Sequence, residues 1–150
     1  RYFFAEAGYL MEVAKAHQQP LAVLAIDIDH FKRVNDSHGH AVGDQVIISL
    51  TRALKAQSRS KDLLARFGGQ VCAERVRAAI AALRIDASPT EQLSLTVSIG
   101  VAAIDLPTDS IESALNRADK ALYEAKHKGR DRVCLYSENA TTEPGVTPTA

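Results

Sequence analysis

The hydrophobic positions change period along the chain, and the changes divide it into helices and strands. Tyr9, Leu10, Val13 and Ala14 fall at helical spacing, which predicts a first helix ending before Pro20, because the residue preceding a proline is pushed out of the helical region. Leu21-Ala22-Val23-Leu24-Ala25-Ile26 is then an unbroken apolar run bounded by Pro20 and by acids. It predicts a strand buried on both faces at the centre of a sheet, closed by Asp27. Val46, Ile47, Leu50 and Leu54 recur at three and four, predicting a helix over about 44–57. Leu93, Leu95, Val97, Ile99 and Val101 alternate with Ser94, Thr96, Ser98 and Gly100, predicting a strand with one core face and one small, polar face. Asp109 and Glu112 resemble a capping box, Ile111, Leu115, Ala118 and Leu122 make an apolar stripe, and Gly129 supplies a stop, so a last long helix follows. Val133 to Tyr136 reads as a short final strand. With a weak strand over 63–67 and a helix after it, the alternation calls for helices packed on a sheet, an α/β (α+β) two-layer sandwich.

Composition narrows the picture. The chain has 150 residues, 46% hydrophobic, which is enough for one core and too short for two ordinary domains. Lys+Arg and Asp+Glu are 18 each, so there is no global basic field to hold nucleic acid or an anionic membrane, and any anion site must be local. Cys72 and Cys134 give no disulfide framework and suit a reducing, cytoplasmic setting. The longest apolar run is far too short to span a bilayer, so a membrane tether would have to lie upstream of this chain. Arg1-Tyr2-Phe3-Phe4 is helix-like without a cap and reads as cut from something longer. Residues 137–150, rich in Thr, Pro, Glu and Gly, read as a disordered tail, leaving a domain over 1–136.

Candidate chemistry centres on the end of the first strand. A carboxylate there loses hydration unless something pairs it, and Asp27 and Asp29, two apart, lie on the same side. A divalent cation is one such partner, since Mg²⁺ takes one or two carboxylates together with substrate phosphate oxygens and water. Alternatively Asp29 caps the helical turn at His30-Phe31-Lys32 and Asp27 meets a backbone donor.

The run that follows carries a longer pattern. Asp27-Ile28-Asp29-His30-Phe31-Lys32-Arg33-Val34-Asn35-Asp36, with His38-Gly39-His40 and Gly43-Asp44 after it, resembles the GGDEF domain of diguanylate cyclases, which join two GTP molecules into cyclic di-GMP with loss of pyrophosphate. Ser98-Ile99-Gly100-Val101 and Ala118-Asp119-Lys120-Ala121-Leu122-Tyr123-Glu124-Ala125-Lys126, then Gly129-Arg130, match the family's later strand and C-terminal signature. The resemblance implies a nucleotide-cyclase, palm-like fold with a mostly antiparallel central sheet. It also implies roles: Asp27 and the Ile28 carbonyl as ligands of Mg²⁺ or Mn²⁺, the amides of Phe31 and Lys32 on the phosphates, and Asn35 and Asp44 on guanine. Lys126 and Arg130 become a phosphate-binding pair. Without the family, Asp44 reads equally as a helix N-cap, Asn35 as a turn residue, and Lys126 and Arg130 as cations favoured by a helix C-terminus. His38 and His40, with no third ligand at metal spacing, read as loop or packing residues.

The match breaks at the name-giving motif. Leu63-Leu64-Ala65-Arg66-Phe67-Gly68-Gly69 approaches it, placing Gly68 and Gly69 beside the substrate by resemblance, but Gln70-Val71-Cys72 stands where acid, Glu and Phe belong. The chain then passes straight into a helix, short of the family by roughly fifteen residues, about one strand and its connection. Either a hairpin arm lies between Gly69 and Gln70 in the intact protein, or the protein lacks it, and with it a glutamate ligand. The first reading is preferred, because losing a strand exposes the edge of its neighbour. Arg59-Ser60-Lys61-Asp62, ahead of Gly68, is similar to the family's RxxD inhibitory site, where Arg59 and Asp62 would hold product; without the family it is a surface pair.

Two functions follow. One is a diguanylate cyclase working as a homodimer of GTP-loaded protomers under an upstream sensory or regulatory domain. The other is a catalytically inactive receptor for cyclic di-GMP or GTP.

Overall fold

The computed structural model describes residues 2–58, 61–106 and 108–138, and of residues 58 and 61–68 the backbone alone. The tail expected over 137–150 lies outside the described residues beyond 138. In chain order the elements are α1 (Tyr2–His17), β1 (Ala22–Ile28), α2 (Phe31–His38), α3 (His40–Ser58), α4 (Lys61–Ala81), β2 (Ile85–Ser88), β3 (Glu91–Leu93), β4 (Val97–Ala103), α5 (Ile111–His127) and β5 (Arg132–Leu135). This is the α+β class read from the sequence, with helices on both faces of the sheet.

The sheet has the order β1-β4-β5, with β1 antiparallel to β4 and β5 parallel to it. Asp27 lies opposite Ser98, and Ile28 opposite Val97. The centre therefore belongs to β4, and β1, expected there, is a half-buried edge strand that continues past Asp27 to Ile28. β4 is buried from Val97 to Ala102, so the face read as small and polar is covered as well. Its branched residues Val97, Ile99 and Val101 pack with Ala73, Val76 and Ile80 of α4. On the other face, Ala102 packs with Val23, Ala114, Ala118 and Met11 of α1.

Small residues set how near α5 comes. It buries Ala114, Ala118, Ala121 and Ala125, and a side chain at Gly100 would overlap the Ala118 carbonyl and the Leu122 amide. The helix backbone thus lies directly on β4. Its start is one residue later than expected: Ser110, not Asp109, is the cap, accepting from the Ser113 amide at 3.1 Å. Its end is a Schellman motif, with the Arg130 amide donating to Ala125 O (3.0 Å), the Gly129 amide to Lys126 O (3.4 Å), and Gly129 at φ +120°.

Three other expectations change. The strand expected over 63–67 is helix, the first part of α4. Leu63-Leu64-Ala65-Arg66 favours a helix, and without a neighbouring strand its backbone groups are satisfied only within one. The strand expected from Leu93 to Val101 breaks at 94–96, and its first residue, Leu93, ends β3 and pairs instead with Ile85 of β2. The helix expected over 44–57 begins at His40, so Asp44 lies inside it and is no N-cap.

Asp109, freed from capping, pairs with Arg117, whose guanidinium also donates to Ala103 O at 2.9 Å. The Arg117 hydrogen bond holds the Asp109 carboxyl below its usual pKa. A carboxyl depressed on folding stabilises above its unfolded value and loses that contribution as pH falls through the folded one. Arg117→Met is expected to cost about 1–2 kcal/mol at neutral pH. The gap from wild type should close below about pH 4, as read by urea denaturation across pH.

Candidate functional site

One end of the sheet gathers most of the family-matched residues. The close seating of α5 on Gly100 carries its last turn over the end of β1, where Lys126 Nζ forms an ion pair with Asp27 Oδ2. Both side chains remain partly exposed, 34% and 47%, so the pair is reachable by a ligand. Asp27 thus meets a cation, not the backbone donor considered for it.

Asp29 does something else. Its carboxylate is buried and accepts from Ser98 Oγ (2.6 Å), Thr96 Oγ1 (2.7 Å) and the Asp131 amide (2.9 Å). With these donors it is spent as a cation ligand, and it caps nothing. His30 occupies the cap position of α2 in the left-handed region, φ 58°, with no side-chain cap bond. The amides of Phe31 and Lys32 are consequently without a partner among the described residues, at the positive end of a helix dipole.

Asn35 faces α3 across a gap closed by Gly43. A side chain there would overlap Asn35 Oδ1 and come within 3.4 Å of Phe31 Cζ, so glycine leaves the space that the Asn35 amide occupies between α2 and α3. Asp44, exposed, follows Gly43 directly, which puts both candidate guanine readers on one helix pair. Arg130 is exposed on the turn after α5, and its guanidinium has no ion-pair partner among the described residues. Lys126 and Arg130 are therefore on the same arm, one held by Asp27 and one unpaired.

Gly69 is not brought to this place. It packs at the other end of β1, where an added Cβ would be 2.8 Å from Ala22 Cβ and from Val101 Cγ1, and Gly68 precedes it on the same helix. Arg59 lies outside the described residues, as does the side chain of Asp62. His38 ends α2 with Nε2 3.9 Å from Glu91, and His40 is exposed at the start of α3. Burial pushes the Cys72 and Cys134 thiols up, which removes both as nucleophiles at neutral pH.

A cation here would have few protein ligands. No three His, Cys, Asp or Glu side chains converge among the described residues. With Asp29 committed, the Asp27 carboxylate and the Ile28 carbonyl are the two donors that the resemblance would leave for it. That set fits Mg²⁺ arriving with a phosphate ligand and its own waters, and does not fit a caged resident ion. The sequence missed Gly43, Thr96, Ser98 and Asp131 as parts of the site; only the glycine one residue before Asp44 offered a local signal.

Known proteins similar to this chain fall in one family. The family model described as the GGDEF domain of diguanylate cyclases matches residues 1–132. Diguanylate cyclase A of Treponema denticola is 35% identical over 156 aligned positions, covering 92% of this chain and 42% of the relative. DgcP of Pseudomonas aeruginosa, a diguanylate cyclase, is 40% identical over 139 positions, covering 81% of this chain and 20% of the relative. The chain thus spans less than half of either relative. Both alignments are longer than the part of this chain they cover, so each relative carries residues that this chain lacks. Among solved structures, a GGDEF domain of TpbB (YfiN) from Pseudomonas aeruginosa superposes with a TM-score of 0.80 at 30% identity, covering 94% of this chain and 91% of that one. The GGDEF domain of DgcB from Caulobacter crescentus, solved with cyclic di-GMP, gives 0.76 at 28% identity, covering 89% and 88%. Among the described residues no helix is long and apolar enough to cross a membrane. With the family model matching residues 1–132 and a relative 35% identical over 92% of its length, the chain belongs to the GGDEF domain family.

Proposed function

We propose that this chain carries a GTP site of the diguanylate cyclase type and that two GTP-loaded copies, face to face, form cyclic di-GMP and pyrophosphate. The observation that carries the reading is the Asp27–Lys126 pair beside the unpartnered amides of Phe31 and Lys32. An acid, a base and an anion-binding helix start within one strand end are what a metal-borne triphosphate needs.

Lys126 neutralises Asp27 in the free protein. With a nucleotide bound, Asp27 and the Ile28 carbonyl would hold the cation, and Lys126, no longer paired with Asp27, would serve the phosphates along with Arg130. The amides of Phe31 and Lys32 donate to phosphate oxygens. Asn35 and Asp44 read the base, since an aspartate accepts from the N1 and N2 donors of guanine and an asparagine both donates and accepts. Bound Mg²⁺ or Mn²⁺ supplies charge stabilisation at the α-phosphate. The 3′-hydroxyl of each GTP then attacks the α-phosphorus of the other, and pyrophosphate departs. Because each copy holds one nucleotide, the reaction requires a homodimer arranged by an upstream regulatory segment.

A second reading, binding without turnover, is favoured by one feature: α4 runs through Gly68, Gly69 and Gln70, and no glutamate stands where the family has its second carboxylate. Incubation of the chain, fused to a dimerising coiled coil, with GTP and Mg²⁺, with product measured by mass spectrometry and binding of GTP and cyclic di-GMP by calorimetry, separates the two. Product supports the cyclase, binding alone supports the receptor, and neither overturns both.

Guanine recognition gives a separate prediction. Asp44→Ala should weaken GTP binding by about 1–2 kcal/mol and ATP binding hardly at all, because it leaves guanine donors unpaired on desolvation. Equal losses for the two nucleotides in calorimetry would take Asp44 out of the base site.

A further inference from the structure

The turn that follows α5 is built in an unusual way. Gly129, Arg130 and Asp131 have φ of +120°, +64° and +44°, three successive left-handed residues, two of which carry side chains. Such a run is sparsely populated and persists only where its surroundings hold it. Two groups do so from different directions. Just past β1, the buried Asp29 carboxylate accepts the Asp131 amide at 2.9 Å, while Thr96 Oγ1, just before β4, and Ser98 Oγ, on β4, fix that carboxylate. From α4, Arg77 donates to Asp131 Oδ1 at 2.8 Å, and is itself steadied by Glu74 at 3.1 Å. Arg132 Nε adds a bond to the Arg130 carbonyl at 3.0 Å. The unpaired guanidinium of Arg130 is thus carried on a backbone clamped on both sides of the sheet, yet neither clamp touches the candidate ligand groups.

We propose that Asp29 and Arg77 are positioning residues that hold the 129–131 turn in its left-handed form, so that Arg130 is set to grip the distal phosphates of the nucleotide. The proposal rests on the GTP reading above and deepens it. A guanidinium on a free turn would sample many directions and lose that freedom on binding, whereas a clamped one has lost it already. The consequence is selective: the clamp strengthens binding of the triphosphate and leaves the base and the α-phosphate unaffected.

The test compares Mg²⁺-GTP with GMP on the 150-residue chain by calorimetry, alongside amide hydrogen exchange at Asp131 and a thermal melt. Arg77→Met should weaken GTP binding about fivefold to thirtyfold while GMP stays within about twofold, and exchange at the Asp131 amide should accelerate. Asp131→Asn, which keeps an oxygen for Arg77 and the amide for Asp29, should restore wild-type behaviour in both readouts. Asp131→Ala removes the Arg77 bond from the other side and should reproduce Arg77→Met, so failure of one variant to fold still leaves the comparison. A folded Arg77→Met with unchanged GTP affinity and unchanged Asp131 exchange overturns the proposal. Equal losses for GTP and GMP also overturn it, because a merely structural role moves both. Should the wild type bind no GTP, the nucleotide reading falls, and exchange at Asp131 alone then decides whether the clamp exists.

Discussion

Asp27→Asn is expected to abolish Mg²⁺-dependent GTP binding and any product formation, a loss of at least about 100-fold, while the melting temperature stays close to wild type. The substitution keeps the shape of the side chain and removes the charge that holds a cation. Two observations make the loss this large. Asp29 is occupied by Thr96, Ser98 and the Asp131 amide, so no other carboxylate at the strand end can take over. The chain also lacks the glutamate that the GGDEF motif would supply, so under the proposed reading one carboxylate would carry the entire protein charge at the cation. Stability should hardly move, since a half-exposed ion pair such as Asp27–Lys126 is worth only about 0–1 kcal/mol. A sign test accompanies the loss. Without Mg²⁺, a bare carboxylate beside a triphosphate repels it and also occupies Lys126, so Asp27→Asn should bind metal-free GTP as well as wild type or better. Calorimetry with and without Mg²⁺ measures both effects, and a variant that keeps its Mg²⁺-dependent affinity would remove Asp27 from the site.

What could be read from the sequence depended on how local the determining contacts are. β1 and α5 were legible because their signals lie within the elements themselves: an apolar run after a proline, an alanine-rich stripe, a glycine at the helix stop. The α5 cap was displaced by one residue because Asp109 has a stronger partner, Arg117, a full two turns away. Sheet order was not legible. Nothing within 21–26 distinguishes a central strand from an edge strand whose outer face is covered by helices, and the centre went to β4 because its alternating small and branched residues let helices close on both sides. The site divides in the same way. Asp27 and Lys126 were found together through the motif, though no spacing rule connects residues 99 positions apart in the chain. Asp29 reads in the sequence as a cation ligand or a cap and the structure gives it neither task, because its partners Thr96, Ser98 and Asp131 are 67, 69 and 102 residues distant. Residues 63–67 were misread as a strand because a strand requires a neighbour, and this chain supplies none there.

Gly100→Ala is expected to destabilise the domain by about 3 kcal/mol or more, although it adds a single methyl group. The new Cβ would overlap the Ala118 carbonyl oxygen and the Leu122 amide nitrogen, which are backbone atoms of α5 and cannot rotate away as a side chain would. Relief requires lifting the helix, and lifting it opens the packing of Ala114 and Ala118 against Val23 and Ala102 together with that of Ala121 and Ala125 against Cys134 of β5. For a domain of this size the melting temperature should fall by about 6–12 °C. The same displacement draws Lys126 off Asp27, so nucleotide affinity should decline along with stability, which separates this variant from Asp27→Asn, where affinity is lost and stability kept. Gly8→Ala provides the contrast within one experiment. It lies in α1 with nothing within 4 Å of the added Cβ, so relief of backbone entropy dominates and the domain should gain about 0.5–1 kcal/mol. Two glycine-to-alanine changes of opposite sign, measured by thermal and urea denaturation, distinguish a glycine required by a close approach from one that merely weakens its helix. Equal effects would mean that α5 does not rest on β4 through Gly100, and the placement of Lys126 over the strand end would lose its support.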